Sequence, residues 1–415
     1  MSLFLSLDPV EGVSSLALEQ WNAALRKRGH RVEKGAMRRL GEPSEAPRDE
    51  LAAWIGKHRP AAIFATLPLT FTTPEFFHRP EVAGVPTVLF WYDDPYRSLG
   101  RWGREPGYLD AMRLPSVHHF VWDGYWRRWM AETYGIASHP IHLAADPDDF
   151  HPVERPRGRI DAAVFVGTLL SEAHLDEQRA SLPPVLAKAA RHVEAAIGAG
   201  GDGENPFPIL ERVIAAFPAR LRDEIAAEGE RDPNSLLKLR GLTCKWGKNE
   251  VRRRMLRAAL QVAPVAVFSG SLERNHAGKE LEQLARGAPF PLVFRDTGGI
   301  PARDLGQLYA YGEVHLQATD PQSVEGGIPF RVFQTTASGK PLLTDVKPEL
   351  LDCYREGSEI ACYRGVAEIA PALRRLLDST EERRALAEGG RARFLSQHTW
   401  NHRIAEVFGT LGISE

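Results

Sequence analysis

The sequence predicts an α/β protein built from two doubly wound domains. Three observations carry this. Short runs that are apolar on both faces alternate with helical stretches; a charged, proline-rich break follows; and the same alternation then starts again. Strands without a polar face, joined by helices, imply a parallel sheet covered on both sides.

In the first 150 residues the apolar runs are Ser2–Leu7, Ala61–Thr66, Pro86–Trp91 and His118–Trp122, with a helix over Ser14–Gly29. The break is Asp146–Arg159, which has three prolines and dense charge. Ala162–Gly167 opens the second series, which continues with Pro264–Ser269, Pro291–Phe294, Glu313–Gln317, Pro341–Thr344 and Glu359–Cys362. Domains are therefore expected over 1–150 and 151–395, with a terminal helix at 396–415 packing back on the first. The stretch Leu170–Leu260 reads as a helical insertion with an exposed loop at Gly198–Pro208. Lys245–Arg257 carries six basic residues in thirteen; it reads first as a solvated helix face, and second as a phosphate-binding one.

Composition narrows the function classes. A chain of 415 residues exceeds one ordinary core. Lysine plus arginine (52) nearly balances aspartate plus glutamate (54), for a net charge of −2. A dedicated nucleic-acid binder needs a net basic footprint, which is missing. The three cysteines form no CxxC pair, so no disulfide framework or zinc knuckle is indicated. The first residues lack a basic region and meet Asp8 and Glu11 early, unlike a signal peptide. No apolar run reaches the ~20 residues of a membrane span. A cytoplasmic protein without an integral membrane segment is expected.

Chemistry concentrates in Tyr311–Asp345. A strand ends in a polar loop with adjacent Gly326 and Gly327, and a helix begins near Pro329, with Arg331 in its first turn. Unpaired N–H groups and the positive end of the helix dipole suit a diphosphate. Glycine lets backbone approach the anion, and Arg331 adds a bidentate contact. Glu325, beside Gly326, reads equally as a contact to sugar or ribose and as a solvated loop residue.

In the first half, Phe90–Pro95 (FWYDDP) runs from a strand into Asp93 and Asp94. Carboxylates at that end of a strand lie where open α/β sheets bind ligands, and either can act as base on an acceptor hydroxyl. The competing reading is a turn closed by Pro95 with one aspartate as helix cap. His119 is a candidate base through its near-neutral pKa, although strand histidines are more often structural. Trp122, Tyr125, Trp126 and Trp129 read as core or as lining of an acceptor site.

Several segments in collinear order resemble GT-B glycosyltransferases, and in particular the group of the spore-maturation CgeB-like proteins. They are HLAADPDDFHPV, FVGTL, DLGQLYAYGEVHLQ, GGIPFRVFQTTASGKPLLTD, EGSEIACYRGVAEI and RRALAEGGRARFLSQHTWNHR, covering roughly 140–170 and 295–405. The resemblance implies GT-B architecture, with two Rossmann-like domains facing across a cleft. It implies transfer of a sugar from a UDP-, GDP- or dTDP-sugar to an acceptor (glycan, protein or small molecule), with retention and without a bound metal or cofactor. It adds Gly12, Gly270, Arg274 and Lys279 as candidate donor contacts, and His398 as part of a closing structural element. One departure stands out. The family's glutamate is Gln334 here, which hydrogen-bonds a diol without charge and leaves open a non-catalytic nucleotide-sugar binder as the alternative.

Overall fold

The structure is a computed structural model that describes residues 1–8, 15–36, 46–66, 74–154, 163–199, 206–270, 280–297, 300 and 302–414. Two compact units emerge. The first gathers residues 1–146, 324–327 and 398–415; the second holds 147–323 and 328–397.

Six parallel strands form the first unit's sheet: β1 (Leu3–Asp8), β2 (Arg31–Ala36), β3 (Ala62–Thr66), β4 (Thr87–Trp91), β5 (Val117–Val121) and β6 (Ser138–Pro140), in the order β2-β1-β3-β4-β5-β6. Strands β3 and β4 are buried at every position, which is why no alternation shows in their sequences. Aromatic side chains fill the core. Trp21 packs on Phe64 and Phe90 at centroid distances of 5.1 and 4.8 Å, and on Trp400 at 6.2 Å. The terminal helix Trp400–Leu411 is thus part of this core. Trp400 Nε1 donates to Gln20 Oε1 at 2.9 Å, and Arg403, only 2% exposed, bonds the Leu143 carbonyl and Nδ1 of His398.

The second unit's strands are β7 (Ala163–Val166), β8 (Val265–Ser269), β9 (Leu292–Asp296), β10 (Val314–Gln317), β11 (Leu342–Asp345) and β12 (Ala361–Tyr363), all parallel, in the order β12-β11-β10-β7-β8-β9. Counted from β7, this is the doubly wound order 3-2-1-4-5-6. Successive crossovers leave β7 in opposite directions, so the carboxyl ends of β7 and β10 bound a topological switch point, where such sheets take ligands.

Among the described residues between β7 and β8 the chain forms five helices: Glu172–Ala180, Pro184–Ala199, Pro206–Ala215, Ala219–Arg231 and Pro233–Ala259. They have their own core, including Leu186, Val193, Leu239 and Trp246. Both ends of the expected Gly198–Pro208 loop are helical, and residues 200–205 lie outside the described ones. The last helix, 27 residues and about 40 Å long, runs alongside the sheet. Its basic segment is not a solvated face. Arg252 is 5% exposed and stacks toward the Phe165 ring. On the helix it lies one turn from buried Met255 and Leu256, and β7 adds the Phe165 ring.

Candidate functional site

In the second unit the site starts from the switch point. Beyond β7 the chain turns through Thr168–Leu170, held by the long helix: Asn249 accepts from Leu170 N at 3.0 Å and donates to its carbonyl at 2.7 Å, while Arg252 Nη1 donates to the Thr168 carbonyl at 2.5 Å. Beyond β10, Asp345 at the end of β11 accepts from Thr319 N and Oγ1, both at 2.8 Å. Asp320 pairs with Lys248 at 2.5 Å. A hollow of about 130 Å3 opens at this edge, lined by Thr319, Asp345, Lys347, Tyr363 and Arg364 among others; it suits one group of a ligand rather than a whole one.

The helix after β10 is Phe330–Ala337. Pro329 is its N-cap (φ −65°, ψ 152°), one position earlier than a first-turn proline, and no side chain caps it. A helix that returns the chain from β10 to parallel β11 starts at the carboxyl edge of the sheet, so its first-turn N–H groups and the positive end of its dipole face that edge. Arg331 sits in that first turn, and its Nε has no hydrogen-bond partner among the described residues. Gln334, 6% exposed, accepts from Tyr309 Oη at 2.7 Å. Burial raises the Tyr309 hydroxyl well above the ordinary tyrosine range, partly offset by Arg331, so it stays a donor.

In the first unit, Asp123 is a site residue that the sequence reading passed over. It is 1% exposed. Its Oδ1 caps the helix Gly124–Tyr134 by accepting from Tyr125 N at 2.9 Å. Its Oδ2 accepts from three successive amides, Val324, Glu325 and Gly326, at 2.8, 3.2 and 3.1 Å. Gly327 N donates to the Trp122 carbonyl at 3.1 Å, at a φ of +58° that favours glycine. Glu325, its side chain 34% exposed, is bound by Arg128 through both guanidinium Nη atoms.

Asp94 caps the helix Pro95–Trp102, accepting from Tyr96 N at 2.8 Å, as the turn reading had it; Asp93, exposed, lies beside it. His119 requires correction. It is the middle of β5 and 1% exposed. Nδ1 accepts from Trp91 Nε1 at 3.0 Å, and Nε2 bonds the Met112 carbonyl at 2.7 Å. Burial pushes its imidazole down to about 4. Both nitrogens are committed to the core, so His119 cannot take a substrate proton. Gly270 follows the end of β8 and is exposed. Gly12, Arg274 and Lys279 lie outside the described residues.

The arrangement therefore brings together Arg331, Gln334, Arg252 and Tyr309 in one unit, and Glu325, Gly326 and Gly327 with Asp123 and Arg128 in the other. Arg252 had a signal, the basic run of Lys245–Arg257. Asp123 had only the generic one of an aspartate before a helix. Among the described residues, no helix is long and apolar enough to cross a membrane.

Residues 252–409 match the family model described as "Glycosyl transferase-like". Among curated proteins, none matches the chain. Solved structures similar over the full length include sucrose-phosphate synthase from Thermosynechococcus elongatus (TM-score 0.57, 11% identity, 100% of both chains). A glycosyltransferase from Rickettsia africae is similar at TM-score 0.57 and 10% identity, over 100% of this chain and 99% of that one. Alr3699/HepE from Anabaena, in complex with UDP-glucose, is similar at TM-score 0.55 and 12% identity, over 99% and 100%. Identities this low speak to architecture alone, and the architecture is that of the two-domain α/β glycosyltransferases, the GT-B fold.

Proposed function

We propose that the protein is a glycosyltransferase that moves a sugar from a nucleoside-diphosphate sugar to an acceptor. The observation that carries this reading is Arg331, whose Nε has no partner among the described residues, in the first turn of a helix without a side-chain cap at the carboxyl edge of a 3-2-1-4-5-6 sheet. The family match over 252–409 spans this helix, and a structure with the same fold holds UDP-glucose.

In this reading the second unit holds the donor and the first the acceptor. An acceptor oxygen forms a bond to the anomeric carbon as the bond from that carbon to the diphosphate oxygen breaks. The acceptor proton leaves to a base or to the departing diphosphate. Helix N–H groups and Arg331 stabilise the charge that develops on the leaving group, a preorganised electrostatic contribution. Asp93, Asp94 and Glu325 are the carboxylates proposed to orient the acceptor or the sugar. Resemblance to retaining GT-B families favours retention of configuration, and resemblance to GT-B enzymes generally favours no requirement for a metal.

Gln334 favours a second reading, a binder without turnover. Its carbonyl oxygen accepts from Tyr309, which leaves the amide as a donor where a carboxylate would accept from ribose hydroxyls. One panel separates the two. UDP-, GDP- and dTDP-sugars are tested for thermal stabilisation and for donor hydrolysis, with Arg331→Ala as control. Stabilisation with hydrolysis, weakened about ten-fold or more in Arg331→Ala, is the expected result. Stabilisation without hydrolysis that Gln334→Glu turns into hydrolysis supports the binder. Stabilisation by no nucleotide overturns both.

A further inference from the structure

We propose that Arg252, contributed by the helical insertion, is the second cation of the anion seat at the switch point, so that the long helix is itself a diphosphate-binding element. This inference rests on the reading of the second unit as a donor domain, and extends it to a residue on an element that sheet topology does not require.

Arg252 is almost wholly removed from water, at 5% exposure. A buried guanidinium is normally matched by a carboxylate, because a charge taken out of water without a partner loses its hydration and gains nothing in return. Among the described residues Arg252 has no such match. Its hydrogen bond goes to the neutral Thr168 carbonyl, and its Nε is buried without a partner among the described residues. The two carboxylates whose charge reaches it are already engaged, Asp320 by Lys248 and Asp345 by Thr319.

A like charge makes matters worse. Arg331 lies close enough to act, with burial, in pushing the Arg252 guanidinium down to about 10; Asp320 and Asp345 pull the other way. Two guanidiniums within electrostatic reach of each other, each with an Nε that has no partner among the described residues, lie at this edge, Arg252 bonded to the turn after β7 and Arg331 in the first turn of the helix Phe330–Ala337. Gln317, at the carboxyl end of β10 and 2% exposed, leaves its Oε1 unpartnered there too. Repulsion, orphaned donors and a helix N-terminus all ask for the same occupant: an anion with several oxygens. A diphosphate offers enough acceptors for both forks, and Gln317 Oε1 is available to a hydroxyl or amide of whatever the diphosphate carries. The guanidinium of Arg252 is itself positioned, over the Phe165 ring and by its Nη1 bond to the Thr168 carbonyl, so little side-chain freedom remains to be lost on binding.

The test uses the full-length protein and inorganic pyrophosphate, with UDP, GDP and dTDP in parallel, read by calorimetry. Wild type is expected to bind pyrophosphate, and Arg252→Met to weaken it about ten-fold or more, since charge-assisted hydrogen bonds are the strong ones. Arg252→Lys keeps the charge but loses the fork, and is expected to fall between them. Should Arg252→Met fail to fold, the lysine variant decides by the same reading. Pyrophosphate affinity within about two-fold of wild type in the folded variants overturns the proposal, as does absence of pyrophosphate binding by wild type. Pyrophosphate binding that depends on Arg252, with no nucleoside diphosphate bound, sustains this seat while removing the transferase reading. Nucleotide binding indifferent to Arg252 does the reverse.

Discussion

Asp123 holds more backbone than any other side chain described here, and its removal can be worked through. One carboxylate oxygen accepts from the amides of Val324, Glu325 and Gly326; the other caps a helix through Tyr125 N. A hydrogen bond to a charged group contributes about 1.5–3 kcal/mol net. Three amides sharing one oxygen each receive less than the full value, so about 3–4 kcal/mol is a fair figure for the set, and the cap adds about 1 kcal/mol. Asp123→Ala leaves the amides unpaired in a site where the side chain was 1% exposed. Asp123→Asn keeps one good acceptor and turns an NH2 toward the other set of donors, so it should cost about half as much. Hydrogen exchange at Val324, Glu325 and Gly326 reads this directly. With about ten-fold per 1.4 kcal/mol, exchange at these three amides should accelerate about 100-fold or more in Asp123→Ala. Acceleration of less than about three-fold, with amides elsewhere in the first unit unchanged, would refute the reasoning.

Three further outcomes are expected. His119 and His315 are buried and His142 is partly buried, and desolvation pushes them down to about 4, 3 and 4 in turn. Since each takes up a proton more readily when unfolded, stability is full above an ordinary histidine pKa of about 6.5 and is lost as pH falls toward 4. Each fully buried ring is worth up to roughly 3 kcal/mol, and denaturant midpoints should drop steeply over that interval; a flat profile from pH 7 to 4 would contradict it. His119→Gln should lower stability by about 1–3 kcal/mol while leaving turnover per folded molecule within about two-fold; a thousand-fold loss with an intact fold would restore the catalytic role denied to it. Tyr309→Phe orphans the buried Gln334 oxygen and should cost about 1–3 kcal/mol in denaturant unfolding, with Gln334→Leu largely removing that cost in the double variant.

Much of the architecture was legible because parallel strands bury both faces. PTVLFW and PVAVFS announce themselves as β4 and β8, and the structure moves their ends by only a residue or two. The strands that escaped are β2 and β6. Each sits at an edge of the first sheet, where one flank pairs and the other meets water; RVEKGA carries three charged residues, Arg31, Glu33 and Lys34, for that reason. Site residues followed the same rule. Arg331 and Gln334 could be found because the glycine pair and the helix that follows are contiguous in sequence. Arg252 and Asp123 could not be placed, because what gives them meaning lies 79 and 201 residues away, at Arg331 and Val324. His119 shows the opposite failure: a residue type suggestive of catalysis whose partners, Trp91 and Met112, make it structural.

The first unit is not a contiguous stretch of chain, and this bears on how the protein comes off the ribosome. Trp400, Arg403 and Phe408 belong to the core that Phe4, Trp21 and Phe64 begin. The amides that satisfy Asp123 are made more than halfway through the intervening 200-odd residues. At about 5–20 residues per second, the amino-terminal sheet waits on the order of 10–50 s for its last helix. During that time the faces of Trp21 and Phe4 that the terminal helix will cover remain open, while the second unit, whose sheet is complete by Tyr363, has the sequence it needs to close. The unit synthesised first is the one that finishes last, so truncations of only the final eighteen residues should be cleared in vivo as though the amino-terminal half had been damaged.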